Sequence, residues 1–218
     1  MSGRPDPASL LTPLAGRWIL FVIATEQEFG PELRKSIYAL VTGVGPIEAA
    51  IRTSEVLGAL RDRDRLPDLV VSLGSAGSRT LEHAAIYQAA SVSYRDMDAS
   101  PLGFARGATP FLGQPATIPI AHRLSGIPAA TLSTGAEIIS GARYDAIDTD
   151  MVDMETYAVL RAAQHVGRPM IGLRGISDGR SPLTGLTDWT ATLGEIDAKL
   201  AAAVQVLEAD LNAGRVRL

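Results

Sequence analysis

Apolar residues in this chain fall into two rhythms: short continuous runs, and longer stretches spaced as on one face of a helix. The first run, Trp18–Ala24, is apolar throughout, as expected of a strand covered on both faces. A short Glu-rich helix is predicted next, from about Glu26 to Lys35, then a second strand over Ile37–Thr42. That strand leads into Gly43-Val44-Gly45-Pro46. Pro46 opens a predicted helix to Arg61, because proline at the first helical position sacrifices no hydrogen bond. Further strands are expected at Asp68–Leu73, Ile86–Tyr94, Ala129–Ser133 and Pro169–Ile176. A helix over Asp153–His165 precedes the last of these, and another from about Thr190 to Ala213 closes the pattern.

Strands alternating with helices imply an α/β fold, a single-domain three-layer α/β/α sandwich around a mixed, mainly parallel sheet. No internal repeat or low-complexity linker interrupts it, so residues 15–218 read as one domain. Residues 1–14 are rich in Pro and Ser and read as a flexible leader. In parallel sheets ligands gather beyond the C-terminal ends of the strands. Thr25–Glu28, Gly74–Gly77 and Ser177-Asp178 all fall at such ends.

Composition narrows the chemistry. At 218 residues and 46% hydrophobic, the chain can bury a sizeable core. Its net charge of -4, with basic residues scattered, gives no field for nucleic acid or anionic lipid. The absence of cysteine removes disulfides, thiolate catalysis and thiolate metal sites. His83, His122 and His165 have no paired spacing, so a structural or catalytic zinc site is not expected. The N-terminus is not arranged as a signal peptide, and the longest apolar run is too short to span a bilayer. A cytoplasmic location follows by default.

Several polar residues stand where apolar ones would be expected. Glu28 lies four residues past a buried strand, although a carboxylate in the first turn of a helix is also commonplace. Gly74-Ser75-Ala76-Gly77 can bring backbone N–H groups close to a ligand, or simply turn the chain. In Val152-Asp153-Met154-Glu155, Asp153 suits a helix cap. Glu155 precedes an apolar stretch and should be partly buried, where a carboxylate needs partners such as a ribose diol. Arg174 sits inside an apolar strand and requires an ion pair, with Glu155 or Asp153 as the candidates. Asp178, before Gly179, suits a cap as well as a catalytic acid.

Taken in order, six blocks resemble the 5′-methylthioadenosine/S-adenosylhomocysteine nucleosidases of the nucleoside phosphorylase superfamily. They are Ala24–Glu28, Gly43-Val44-Gly45, Gly74–Gly77, Tyr94-Arg95-Asp96-Met97-Asp98, Val152–Glu155 and Arg174–Asp178. The resemblance implies a nucleoside phosphorylase-like domain that hydrolyses the N-glycosidic bond of a purine nucleoside, without cofactor, water being co-substrate. Asp178 matches the acid at purine N7, oriented by Ser177. Glu28 matches the residue that activates water, with Ser75 and Arg174 around that water. Glu155 matches the acid on the ribose hydroxyls, with Asp153 beside it and Met154 packing on the sugar. Ala76 and Gly77 belong to the substrate-binding strand end, and Ile138 is placed to offer backbone hydrogen bonds to the base.

The sequence departs from the family in two places. Glu137 aligns where an aromatic residue usually stacks on adenine, and Gly135 replaces an acid, so the base preference is open between adenine and hypoxanthine. The spacing after Asp178 also differs; Leu186 or Trp189 is a candidate for apolar cover of the 5′ substituent, and Trp189 fits a core position equally well. The family further implies a homodimer whose neighbouring subunit completes the 5′ pocket from the Tyr94–Phe111 region, through Leu102, Phe104 or Phe111. Alternative readings are a purine nucleoside phosphorylase, a futalosine-type hydrolase and a storage-type homologue without activity. Phosphate would be repelled by Glu26 and Glu28, and storage needs none of Glu28, Glu155 and Asp178.

Overall fold

Period-2 alternation along the central strands divides the core between two faces. In the computed structural model, which describes residues 6–218, Ile19, Phe21 and Ile23 of strand β2 (Arg17–Ile23) face one way, and Leu20 and Val22 the other. Leu69, Val71 and Leu73 of β4 (Leu69–Gly77) join the first set, as do Ile171 and Leu173 of β9 (Met170–Asp178). That face is covered by α1 (Pro31–Ser36) and α5 (Leu193–Asn212), through Leu33, Ile196, Leu200, Val204 and Leu207. The opposite face is covered by α2 (Pro46–Arg61) and α3 (Thr156–His165), through Val56, Leu57, Leu60, Val159 and Leu160. The expected three-layer sandwich is therefore present.

Among the described residues the sheet has nine strands. Besides those named, they are β1 (Thr12–Leu14), β3 (Ala39–Val41), β5 (Ile86–Tyr94), β6 (Thr117–Pro119), β7 (Ala129–Thr134) and β8 (Met151–Asp153). Parallel pairs join β2 to β3 and β4, β4 to β9, β5 to β7, and β7 to β8. Antiparallel pairs join β1 to β2, β5 to β6 and β9, and β4 to β8 at Gly77 and Val152. The pairs β4–β9–β5–β7–β8–β4 close a ring. Closure brings the ends of β4, β8 and β9 together, and with them three of the sequence blocks singled out above.

Three expectations need correction. Residues Pro7–Leu10 form a 3-10 turn and Thr12–Leu14 pair with β2, burying Leu11 and Leu14, so this part of the expected leader belongs to the fold. The remainder of that leader, residues 1–5, lies outside the described residues. The predicted helix over Glu26–Lys35 begins only at Pro31, because the residue before a proline is biased away from helical geometry. The new helix end is held by the buried Asp197 carboxylate, which accepts the N–H groups of Glu32 at 2.8 Å and Leu33 at 3.1 Å. Finally, Gly74–Gly77 is not a turn: β4 continues through it, as β9 continues through Ser177-Asp178, and the two pair as far as Gly77 and Asp178.

Candidate active site

Where β4, β8 and β9 converge, a cavity of about 560 Å³ opens. Glu28, Glu155 and Asp178, which are distant in sequence, all line it. Ser75, Ala76, Gly77, Met154, Ser177 and Ile138 line it too, so the structure brings these predicted residues together.

Glu28 reaches the cavity from the turn after β2, where its N–H bonds to Thr25 O. Its Oε1 accepts two hydrogen bonds from Ser75, from the backbone N–H at 2.7 Å and from Oγ at 2.6 Å. Oε2 is buried without a protein partner. Burial raises the carboxyl pKa, opposed by the two Ser75 donors and the nearby Arg174 charge. A Cβ at Gly74 would stand 3.1 Å from Oε1, so the approach depends on the absence of a side chain there. Ser75 Oγ in turn accepts the indole N–H of Trp189 at 2.9 Å. Trp189, on α4 (Leu186–Thr190), and Leu186 both line the cavity.

Glu155 is the residue before α3, and its Oε1 accepts the Gly45 N–H at 2.8 Å across 110 positions of sequence. Gly45 holds a φ of 99°, a conformation glycine adopts without the steric cost of a Cβ. Burial pushes the Glu155 carboxyl well above the ordinary range, and the neighbouring Asp153 and Glu28 charges push the same way. Asp178 ends β9; its Oδ1 accepts the Ser177 hydroxyl at 2.6 Å. Its pKa is also raised, chiefly by burial, against the Ser177 bond and the His83 charge.

Asp153 and Arg174 are bound to each other. Arg174 is 2% exposed and donates to Asp153 Oδ2 from Nε at 3.1 Å and from Nη2 at 2.9 Å. Nη2 also donates to Ser72 Oγ and Thr156 Oγ1, while Nη1 donates to Leu173 O. Asp153 is further engaged by Thr134 Oγ1 and by the N–H and hydroxyl of Thr156. Asp153 touches the cavity wall, Arg174 does not, and the two form a filled polar knot beneath it. The ion pair with Asp153, one of the two partners considered, is the one formed.

At the far wall Glu137 is exposed and paired with Arg143, and Ile138 and Ile139 line the cavity beside it. This wall is organised by Arg95, a residue of the fourth block for which the sequence suggested no task. Its guanidinium donates to the carbonyls of Ser133, Asp153, Gly135 and Glu137 at 2.6 to 3.1 Å. A Cβ at Gly135 would press into Arg95 and Asp96, which explains glycine there. Leu102 and Phe111 are exposed, Phe104 meets Phe111 edge-on at 5.4 Å, and none of the three lines this chain's own cavity.

Comparison with known proteins fits this geometry. The family model described as the Phosphorylase superfamily matches residues 128–209. A 5′-methylthioadenosine/S-adenosylhomocysteine nucleosidase from Actinobacillus succinogenes is 27% identical over 173 residues, covering 70% of this chain and 72% of that protein. Among solved structures, the nucleosidase of the same name from Campylobacter jejuni superposes with a TM-score of 0.73 at 16% identity, over 89% of this chain and 100% of that one. The enzyme from Colwellia psychrerythraea, solved in complex with adenine, gives 0.68 at 21% identity, over 88% and 94% of the two chains. At such identities the two structures speak to the fold alone.

Proposed function

We propose that this chain, which is similar to the phosphorylase superfamily over residues 128–209, hydrolyses the N-glycosidic bond of a purine nucleoside. The substrate class is 5′-methylthioadenosine, S-adenosylhomocysteine or a related adenosine derivative. The observation that carries this reading is the convergence of Glu28, Glu155 and Asp178 on one cavity.

Each carboxyl has a task that its surroundings suit. Breaking the bond leaves positive charge on the ribose and sends electrons into the purine. Asp178 keeps its proton above the usual carboxylate range and delivers it to purine N7, while Ser177 fixes its orientation. Glu155 accepts the ribose hydroxyls on the oxygen opposite the Gly45 contact, with Met154 against the sugar. Glu28 takes the proton of the attacking water on Oε2, its one oxygen without a protein partner. Negative charge on the two glutamates then favours the cationic sugar in a site sheltered from solvent.

Water rather than phosphate is the nucleophile. Among the described residues that line the cavity, Arg95 is the one cation, and four backbone carbonyls hold its guanidinium. Arg174, the other candidate, is consumed by Asp153. A second copy of the chain supplies Leu102, Phe104 or Phe111 to the 5′ end, where Leu186 and Trp189 already give apolar cover.

The test is a panel of purine nucleosides incubated with and without phosphate, following free base by chromatography. Adenine release from 5′-thio nucleosides without phosphate is expected. Strict dependence on phosphate would overturn the hydrolytic reading, and preference for a hypoxanthine nucleoside would move the substrate towards the futalosine type.

A further inference from the structure

Tyr144 lies on the 3-10 turn Gly141–Ala146, 93% removed from solvent and packed on Ile139 and Val152, yet its hydroxyl has no hydrogen-bond partner among the described residues. An unpaired buried hydroxyl is costly, so this one invites a partner. The backbone indicates where that partner lies. A Cβ built on Gly77 would press into the Tyr144 oxygen and stand 2.9 Å from Asp178 Oδ2. The phenol and the carboxyl oxygen that Ser177 leaves free thus flank one point, kept open because residue 77 has no side chain. We propose that Tyr144 is a positioning residue whose hydroxyl donates to Asp178 Oδ2 when a base occupies the cavity. The inference rests on the reading of Asp178 as the acid.

Such a bond would act differentially. A protonated carboxyl accepts weakly, and the carboxylate left after proton transfer accepts strongly. The contact therefore tightens as the proton moves to the base, and an interaction that grows towards the transition state raises kcat more than it lowers KM. Burial and the Asp178 charge hold the phenol above its ordinary range, so it remains a donor at any working pH. The other charged or titratable groups around the pair are His83, which acts on Asp178, and Arg79 and Arg95, which act on the phenol. Arg79 also covers the Tyr144 ring at 5.4 Å.

The test is Tyr144→Phe, which keeps the ring and removes the donor. Its melting temperature should be unchanged or higher, since the hydroxyl has no partner among the described residues to lose. With a nucleoside that the parent protein cleaves, kcat should fall about tenfold with KM within twofold. Losing a donor that favours the carboxylate raises the Asp178 pKa, so the alkaline limb of the kcat profile should move to higher pH. Parent-like kcat and an unmoved limb would overturn the proposal. Carboxyl titration of Asp178 by NMR, with adenine bound, gives a readout that does not depend on turnover. A higher value in the variant supports the bond and an equal value rejects it. Absence of base release from every nucleoside in the parent protein would instead remove the functional reading itself.

Discussion

Arg174 and Asp153 meet in a buried ion pair, Nη2 to Oδ2 at 2.9 Å, with side chains 2% and 1% exposed. The pair ties the middle of β9 to the end of β8, directly under the cavity that carries Glu155 two residues further on. Buried charges are stable together and costly apart. Asp153→Ala would strand the guanidinium and should destabilise the fold by about 3–5 kcal/mol, read from chemical denaturation. A midpoint within experimental error of the parent protein would show that the knot does not hold β8 to β9.

Gly74 makes a subtler prediction. A methyl group there would crowd Glu28 Oε1 and push the carboxylate off its two Ser75 donors. Misplacing a catalytic group by an ångström costs on the order of 100-fold in rate. Gly74→Ala should therefore lose about that much kcat while retaining its circular dichroism spectrum. Near-normal turnover would mean that Glu28 need not be held by Ser75.

Activity should follow a bell-shaped pH profile, with signs fixed by the two raised carboxyls. Glu28 works as a base and must be ionised, so the rate falls as pH drops through its raised pKa. Asp178 works as an acid and must be protonated, so the rate falls as pH climbs through its own. The apparent values belong to the interacting set rather than to either residue alone. Glu28→Gln should remove the acid limb from the residual rate, and Asp178→Asn the alkaline limb, with turnover down by at least about 100-fold in each. A profile that keeps both limbs in Asp178→Asn would take the acid away from residue 178.

Much of this was legible in the chain because the signals were local and periodic. Trp18–Ala24 announces a doubly covered strand, and Pro46–Arg61 begins and ends as its sequence indicates. The three carboxyls stood out as polar residues beside apolar runs. What the sequence did not give depends on long-range placement. Nothing near Asp197 suggests that it caps a helix 165 positions away. Nothing in Gly74–Gly77 distinguishes a strand from a turn, because small residues carry no apolar alternation to read. Trp189 suits core and cavity equally in sequence, and in the fold it packs against the core, lines the cavity and donates its N–H to Ser75. Local sequence leaves Arg174 equally suited to Glu155 and Asp153, and it is the strand register, turning it towards Ser72 and α3, that selects Asp153.

Glu155 exposes a conflict between stability and function. Its pKa in the folded chain is raised, so the folded state favours the protonated form. The stabilisation from that proton is complete below the unfolded value and is lost as pH rises through the folded one. Above that range the chain must bury a charge whose one protein donor is the Gly45 N–H. Glu155→Gln keeps the shape and the Gly45 bond but removes the charge. The variant should match the parent protein near pH 4 and exceed it increasingly as pH rises, by about 2–4 °C in Tm for each kcal/mol relieved in a chain of this size. It should at the same time lose turnover, because the amide oxygen held by Gly45 leaves an NH2 donor facing the ribose hydroxyls and gives the cationic sugar no charge. Melting curves across pH, paired with base-release assays, check both halves. A variant that is less stable at high pH would show that the ionised carboxylate is favoured in the fold, and would remove the strain from this account.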